Sequence, residues 1–151
     1  MRKNIVITGG LGYIGTELCK IYSGQSWNDK VIVIDNRFVS ERVNQLRNWN
    51  IEFIHGDILD KELINKHCKD ADIVHHLAGI TDVPRVKSES NNHKDTEIKL
   101  VGEKGTQNIL DVISDKCKII FPSTHVVYEG IETVKNDILE DEETKPILSY
   151  A

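Results

Sequence analysis

The 151-residue sequence has few of the residues that would mark a specialised class of protein. Its three cysteines, Cys19, Cys68 and Cys117, are odd in number and far apart, which argues against a disulfide framework or a metal-ligand cluster. No apolar run approaches the roughly 20 residues of a membrane span, and the first residues lead straight into a core strand rather than a signal peptide. The net charge is -5, so no basic surface for nucleic acid is expected. We therefore expect a cytoplasmic protein with reduced cysteines and neither a nucleic-acid nor a membrane partner.

What the sequence does contain is an ordinary globular composition, 39% hydrophobic and 28% charged, which suits one domain. Short β-branched runs predict five strands, at residues 4–8, 31–35, 51–55, 72–78 and 118–121. Helical spacing predicts helices at 13–23, 41–48, 61–68 (with Asp60 as N-cap) and 93–113, where Gly102 and Gly105 indicate a close neighbour. No strand or helix is predicted over 129–146. This alternation predicts an α/β fold, a doubly wound parallel sheet of the Rossmann type.

The first strand runs into a glycine-rich turn and then a helix, the arrangement that binds a pyrophosphate. Gly9, Gly12 and Gly15 have no Cβ atom, so the anion can come close to the backbone. The unpaired N–H groups of the helix N-terminus face this anion. Three glycines in seven residues are a weak signal alone, but a strong one between a strand and a helix. A tight turn that binds nothing is the alternative.

Further polar residues follow the other strands, at the edge where a doubly wound sheet binds its ligand. Asp35 could accept hydrogen bonds from the adenosine ribose and would repel a 2′-phosphate, which favours NAD over NADP; a simple turn role is the alternative. NADP remains an alternative cofactor, because Arg37 could pair with that phosphate. Asp57 could accept from the adenine amino group or serve its own loop. His75 and His76 are interpreted as strand residues with bonded nitrogens rather than zinc ligands.

These motifs occur together with others in a characteristic order. They are Thr8-Gly9-Gly10-Leu11-Gly12-Tyr13-Ile14-Gly15, Asp35-Asn36, Gly56-Asp57-Ile58, His76-Leu77-Ala78-Gly79, Gly105-Thr106-Gln107-Asn108-Ile109-Leu110, and Ser123-Thr124 before Val127-Tyr128. The chain resembles the N-terminal half of an extended short-chain dehydrogenase/reductase of the NAD-dependent epimerase/dehydratase family. The resemblance implies strand order 3-2-1-4-5, and a Rossmann domain over residues 1–151 that is truncated before the C-terminal substrate domain.

The resemblance also implies a set of site residues and a partner. Thr124 and Tyr150 would be catalytic, with the tyrosine as the base for a sugar hydroxyl and the threonine orienting the same oxygen. Thr81, Arg85 and Thr124 would contact a nucleotide-sugar substrate, with a solvated loop arginine as the alternative for Arg85. The long helix and the tyrosine-bearing helix would form a homodimer. The residues implied to bind NAD are Gly9, Gly12, Tyr13, Ile14, Gly15, Asp35, Asn36, Asp57, Ile58, Leu77, Ala78 and Gly79.

Three departures from the family pattern qualify the expected reaction. The lysine of the family's Tyr-x-x-x-Lys motif would fall beyond Ala151, so this chain alone is expected to bind cofactor without turnover. His125 and Val126 replace the acidic pair of 4,6-dehydratases, which favours an epimerase, and Gly102 replaces a site asparagine. A sugar-nucleotide epimerase is therefore the leading hypothesis. A reductase or dehydrogenase for another carbonyl substrate and a non-catalytic NAD-binding module are the alternatives.

Overall fold

Five short parallel strands form the centre of a computed structural model, which describes residues 2–24, 28–80, 92–132, 137–148 and 150–151. They are β1 (Asn4–Thr8), β2 (Lys30–Asp35), β3 (Glu52–His55), β4 (Ile73–His76) and β5 (Lys118–Ile120). Their order is β3-β2-β1-β4-β5, and every neighbouring pair is parallel. The predicted α/β class and strand order are confirmed.

Helices cover both faces of this sheet, which is why the central strands carry apolar residues without alternation. Helices α1 (Tyr13–Gly24) and α2 (Ser40–Asn48) pack on the face that carries Ile5 and Ile7 of β1. Helices α3 (Lys61–Cys68) and α5 (Gly105–Leu110) pack on the opposite face, which carries Val6 and Val74. The molecule therefore has two hydrophobic cores with the sheet between them.

The three cysteines are free thiols, as expected. Cys19 is fully buried in the core under α1, and Cys68 is fully buried in the core under α3. Burial raises the pKa of each of these thiols to about 12. Cys117 is half-buried, and burial raises its pKa as well.

The helix predicted over 93–113 is interrupted in the middle and ends earlier than predicted. It consists of α4 (Asn92–Lys99), a π-helical segment (Leu100–Lys104) and α5, so it ends at Leu110 instead of 113. The close approach predicted at Gly105 is confirmed, because an added Cβ would collide with the Cδ1 atom of Ile58. At Gly102 the prediction is not supported, because no atom of the described residues lies within 4 Å of a Cβ at this position.

Other boundaries move by a few residues for local reasons. β4 ends at His76 rather than at residue 78, because the Ala78 N–H donates to the Thr8 hydroxyl (3.3 Å) instead of continuing the ladder. The N-cap role of Asp60 is confirmed, since its carboxylate accepts from the N–H groups of Glu62 and Leu63 at 3.0 Å. A 3₁₀ helix over His125–Tyr128 was not predicted. Among the helices of the described residues, none combines the length and the apolar character of a membrane span.

Candidate functional site

The glycine-rich turn connects β1 to α1 at the carboxyl edge of the sheet. Gly9 adopts a positive φ of 70°, and its N–H donates to the Ile34 carbonyl at 2.8 Å. A Cβ on Gly9 would lie 2.7 Å from the nitrogen of Ala78, so the backbones after β1 and β4 touch here. A Cβ on Gly15 would lie 2.6 Å from the Gly10 Cα, so α1 begins directly against the turn. The turn requires glycine at both positions.

The outer side of this turn is open. A Cβ on Gly12 would lie 3.1 Å from the Gly9 carbonyl oxygen and 3.8 Å from Nη2 of Arg37, and no third atom of the described ranges lies within 4 Å. The first backbone bond of α1 runs from the Thr16 N–H to the Gly12 carbonyl at 3.0 Å. The side chains of Tyr13 and Ile14 are exposed, Tyr13 by 82%. The first-turn N–H groups, which an α-helix cannot bond internally, therefore face an accessible surface.

The carboxylate of Asp35 lies beside this turn, with only 3% of the side chain exposed. Its Oδ2 accepts from the Leu11 N–H at 2.9 Å, and its Oδ1 accepts from the Arg37 N–H at 3.0 Å. The Arg37 guanidinium adds two further bonds, from Nε to Oδ1 at 3.2 Å and from Nη2 to Oδ2 at 3.3 Å. Hydrogen bonds and an ion pair together allow this carboxylate to stay buried.

Arg42 of α2 also contacts the turn, and sequence reasoning missed it. Its Nη1 donates to the Leu11 carbonyl, so the turn is held through Leu11 by Asp35 on the N–H side and by Arg42 on the carbonyl side. Position 42 carries no sequence signal for this contact, because it lies 31 residues from Leu11 and inside an ordinary polar helix.

The residues after β2 and β3 meet at the same edge. Asn36 is exposed, and its Nδ2 donates to Oδ2 of Asp57 at 3.0 Å. The other Asp57 oxygen accepts from the Leu59 N–H at 2.9 Å, so this carboxylate does serve its own loop. Ile58 is 5% exposed, and its side chain packs in the core under α3. Asn108, which the sequence analysis quoted within a motif without giving it a role, holds this loop by donating to the Ile58 carbonyl at 3.0 Å.

Beneath this carboxyl edge of the sheet, called the crevice below, hydrogen bonds through the buried ring of His76 join β1, β4 and α5. The Thr106 hydroxyl donates to the Gly102 carbonyl, so its oxygen is free to accept from His76 Nε2–H at 2.9 Å. Nδ1 of His76 is then unprotonated and accepts from the Thr8 hydroxyl at 2.8 Å. Burial lowers the pKa of His76 to about 4, so the ring is neutral near pH 7. The interpretation of His76 as a bonded strand residue is confirmed.

His75 points to the opposite face, where its Nε2 lies 2.7 Å from the Tyr22 hydroxyl. No group of three or more His, Cys, Asp or Glu side chains in the described residues could hold a metal ion. Past β4, Leu77 and Ala78 are half-buried. Gly79 is exposed, and a Cβ at this position would meet no atom of the residues that the structure describes within 4 Å.

The predicted catalytic residues lie apart from this hydrogen-bond network. Thr124 is half-buried and accepts from the Val126 N–H at 3.3 Å, which caps the 3₁₀ helix. Tyr150 is 38% exposed. In the described part of the chain no hydrogen bond joins the Tyr150 phenol to the Thr124 hydroxyl. Thr81 and Arg85 lie outside the described residues.

Known proteins resemble this chain in sequence and in structure. A family model described as the 3-beta hydroxysteroid dehydrogenase/isomerase family matches residues 6–150. The chain belongs to this family. Among curated proteins, CDP-paratose 2-epimerase of Salmonella typhi is 36% identical over 143 residues, which cover 87% of this chain and 39% of the relative.

Two solved structures that resemble this family member are complexes with sugar nucleotides. One is UDP-N-acetylglucosamine 4-epimerase from Methanobrevibacter ruminantium M1 with UDP-N-acetylmuramic acid, 28% identical with a TM-score of 0.78, covering 99% of this chain and 46% of that chain. The other is UDP-glucuronic acid 4-epimerase from Bacillus cereus with UDP-glucuronic acid and NAD, 25% identical with a TM-score of 0.74, covering 97% of this chain and 47% of that chain. The resemblance stated from the motifs is confirmed, and the chain spans less than half the length of these relatives.

Proposed function

We propose that this chain is the NAD-binding part of an oxidoreductase of the sugar-nucleotide epimerase type, with residues 1–151 forming one dinucleotide-binding domain. The observation that carries the proposal is the open glycine turn at the start of α1, directly beside the buried Asp35 carboxylate. The epimerases among the relatives, one of them solved with NAD, support both the cofactor and the substrate class.

The residues present fit a dinucleotide. Gly12 leaves the turn open where a larger side chain would fill it, and the first-turn N–H groups of α1 suit a pyrophosphate. In this proposal Asp35 binds the adenosine ribose, Asn36 and Asp57 border the adenine, and Leu77, Ala78 and Gly79 border the nicotinamide end. Tyr13 and Ile14 cover the turn from the solvent side. Ile58 would contribute through its backbone, because its side chain is packed in the core.

The chemistry assigned to this chain's own residues is proton transfer and orientation. NAD, when bound, would accept a hydride from the sugar carbon and return it to the other face. Tyr150 would take the proton of the sugar hydroxyl, and Thr124 would donate a hydrogen bond to the same oxygen. Thr81 and Arg85 would contact the nucleotide sugar. His125 and Val126, which are not acids, support epimerisation over elimination of water.

Cofactor binding is tested by a matched pair of glycine substitutions in one helix and its turn. Gly12→Ala places a methyl group on the open side of the turn, whereas Gly24→Ala adds one at the far end of α1, where no atom of the described residues lies within 4 Å. We expect isothermal titration to show NAD binding that Gly12→Ala weakens more than about tenfold, since one lost close contact to a charged group costs more than about 1.4 kcal/mol. Gly24→Ala should bind as the parent does. Equal affinity in all three proteins would contradict the proposed site.

The reaction is tested with the complete gene product and UDP-, GDP- and CDP-hexoses, followed by proton NMR. We expect an epimeric product without net formation of NADH, and its loss in Tyr150→Phe. Tyr128→Phe is the matched control, because its hydroxyl contacts the Glu140 carbonyl (3.4 Å) rather than the crevice. Full activity in Tyr150→Phe would remove the assignment of the base.

A non-catalytic NAD-binding module is the second candidate. Two observations favour it: within the described part of the chain no hydrogen bond joins the Tyr150 phenol to the Thr124 hydroxyl, and Gly102 stands where the family pattern has an asparagine. NAD binding without conversion of any sugar nucleotide by the complete gene product would select this candidate. Net consumption of added NADH would instead indicate a reductase.

A further inference from the structure

Three consecutive side chains of α5 make three different contacts. Asn108 is buried and bonds to the loop after β3, whereas Thr106 is half-buried and bonds to His76 of β4. Gln107 between them is exposed, and its Nε2 donates to Oδ1 of Asp111, one turn along, at 2.6 Å. One short helix therefore holds both of the loops to which the proposed function assigns an end of NAD.

The first contact is with the loop after β3, which borders the adenine in the proposed function. Asn108 Nδ2 donates to the Ile58 carbonyl at 3.0 Å and to the Leu59 carbonyl at 3.2 Å. The carboxylate of Asp57 binds the Leu59 N–H at 2.9 Å. Leu59 is thus held at its N–H by the loop itself and at its carbonyl by α5. Asn108 is the side chain that ties the backbone beside Asp57 to a helix.

The second contact is with the end of β4, beside the nicotinamide in the proposed function. The Thr106 hydroxyl donates to the Gly102 carbonyl, so its oxygen accepts from His76 Nε2–H at 2.9 Å. The unprotonated Nδ1 of that ring then takes the Thr8 hydroxyl proton, at 2.8 Å. This leaves the Thr8 oxygen to accept from the Ala78 N–H at 3.3 Å. The direction of each bond follows from the one before it, beginning at Thr106.

Removing the Thr106 hydroxyl would disturb the far end of this series. His76 Nε2–H would be buried without its acceptor, which is costly for a polar group. A move of the proton to Nδ1 would relieve this, but the Thr8 oxygen would then have to accept from two N–H donors at once. The Ala78 N–H is one of these two donors, so its backbone would lose part of its anchor.

We propose that α5 positions the two ends of the bound dinucleotide independently: Asn108 fixes the loop at the adenine end, and Thr106, acting through His76, fixes the backbone at the nicotinamide end. Both are positioning residues, because each acts on the ligand through another part of the chain. The inference rests on the proposed function, since it requires NAD with its adenine beside the loop after β3 and its nicotinamide beside the end of β4.

The test compares NAD with ADP, which has the adenine end and the pyrophosphate but no nicotinamide, by isothermal titration of the complete gene product. Thr106→Val should weaken NAD binding about fivefold, the effect of about one net hydrogen bond, and should leave ADP binding unchanged. Asn108→Leu should weaken the binding of both ligands by the same factor, about five- to tenfold. Leucine is similar in size and gives up no acceptor bond, because the buried Asn108 Oδ1 has no hydrogen-bond partner among the described residues.

Two control variants and one spectrum separate these effects from a general loss of structure. Gln107→Ala, at the exposed position between the two, should bind both ligands as the parent does. Thr106→Ser keeps the hydroxyl and should keep the NAD affinity. Nitrogen-15 NMR of the His76 ring needs no variant: we expect the proton on Nε2 in the parent.

The possible failures are distinct. Unchanged NAD affinity in a folded Thr106→Val, an equal loss of ADP binding in that variant, or a loss confined to NAD in Asn108→Leu would overturn the inference. A parent His76 ring protonated on Nδ1 would overturn it as well. A parent that binds neither ligand, or binds NAD no tighter than ADP, would contradict the proposed function and this inference with it.

Discussion

Acidification should destabilise this protein through His76. The ring is buried between the hydroxyls of Thr8 and Thr106, and burial lowers its pKa from 6.5 to about 4. Protonation would put a proton on Nδ1, which faces the Thr8 oxygen that already accepts from the Ala78 N–H. The protonated Nδ1 could no longer accept a hydrogen bond from the Thr8 hydroxyl, and the charged ring would be buried away from solvent.

The sign and size follow from linkage. The unfolded chain binds the proton more tightly than the folded one, so stability is complete above pH 6.5 and is lost as the pH falls toward 4. A shift of this size corresponds to about 3 kcal/mol in total, and to about 2 kcal/mol already at pH 5. Below pH 4 both states are protonated and this contribution stays constant.

Urea unfolding at half-unit steps from pH 8 to pH 4 measures the effect, with His76→Gln as the non-titrating reference. The difference in unfolding free energy between the two proteins should shrink by about 2 kcal/mol between pH 8 and pH 5. The other histidines with lowered pKa, His67 and His75, are common to both proteins and cancel. NMR titration of the His76 ring in the parent is an independent check. A ring that titrates near 6.5, or parallel pH profiles for the two proteins, would refute the reasoning.

Substitutions at four positions test the fold itself. Asp60→Ala should lower the unfolding free energy by about 1 kcal/mol, because α3 loses its N-cap; Asp60→Asn, which keeps the acceptor, should cost less in the same urea experiment. Gly105→Ala should cost about 1–3 kcal/mol through its collision with Ile58, whereas Gly102→Ala should be neutral or stabilising in calorimetry. Gly9→Ala combines a positive φ with contact to the Ala78 backbone and should cost more than about 3 kcal/mol; thermal unfolding within about 1 kcal/mol of the parent would contradict the geometry of the turn.

The parts of the fold that follow from local pattern could be predicted from the sequence. A β-branched run, a glycine turn and a stretch with helical spacing occupy adjacent residues. This one stretch therefore predicts β1, the turn and α1. The strand order also follows once the motifs are aligned with a known family. The position of Asp35 at the end of β2, beside the turn, belongs to this predictable part.

The rest depends on contacts between distant residues. Arg42 reaches Leu11 across 31 positions, and Asn108 reaches Ile58 across 50, and neither distance leaves a local signal. The π-helical segment over Leu100–Lys104 escapes prediction because apolar spacing cannot tell whether a backbone bond closes one residue later. A glycine in a helix also does not show by itself whether another element packs against it: among the described residues Gly105 has a close neighbour and Gly102 has none.

The placement of two buried cysteines on opposite sides of the sheet gives each layer its own chemical reporter. Cys19 is covered by the α1 and α2 layer, and Cys68 by the α3 and α5 layer. A thiol reagent can modify each one only when its own layer opens, because both thiols are fully buried and protonated in the closed state. Mass-spectrometric labelling rates at the two positions, with half-buried Cys117 as the internal reference, therefore give separate opening free energies for the two sides of one small domain.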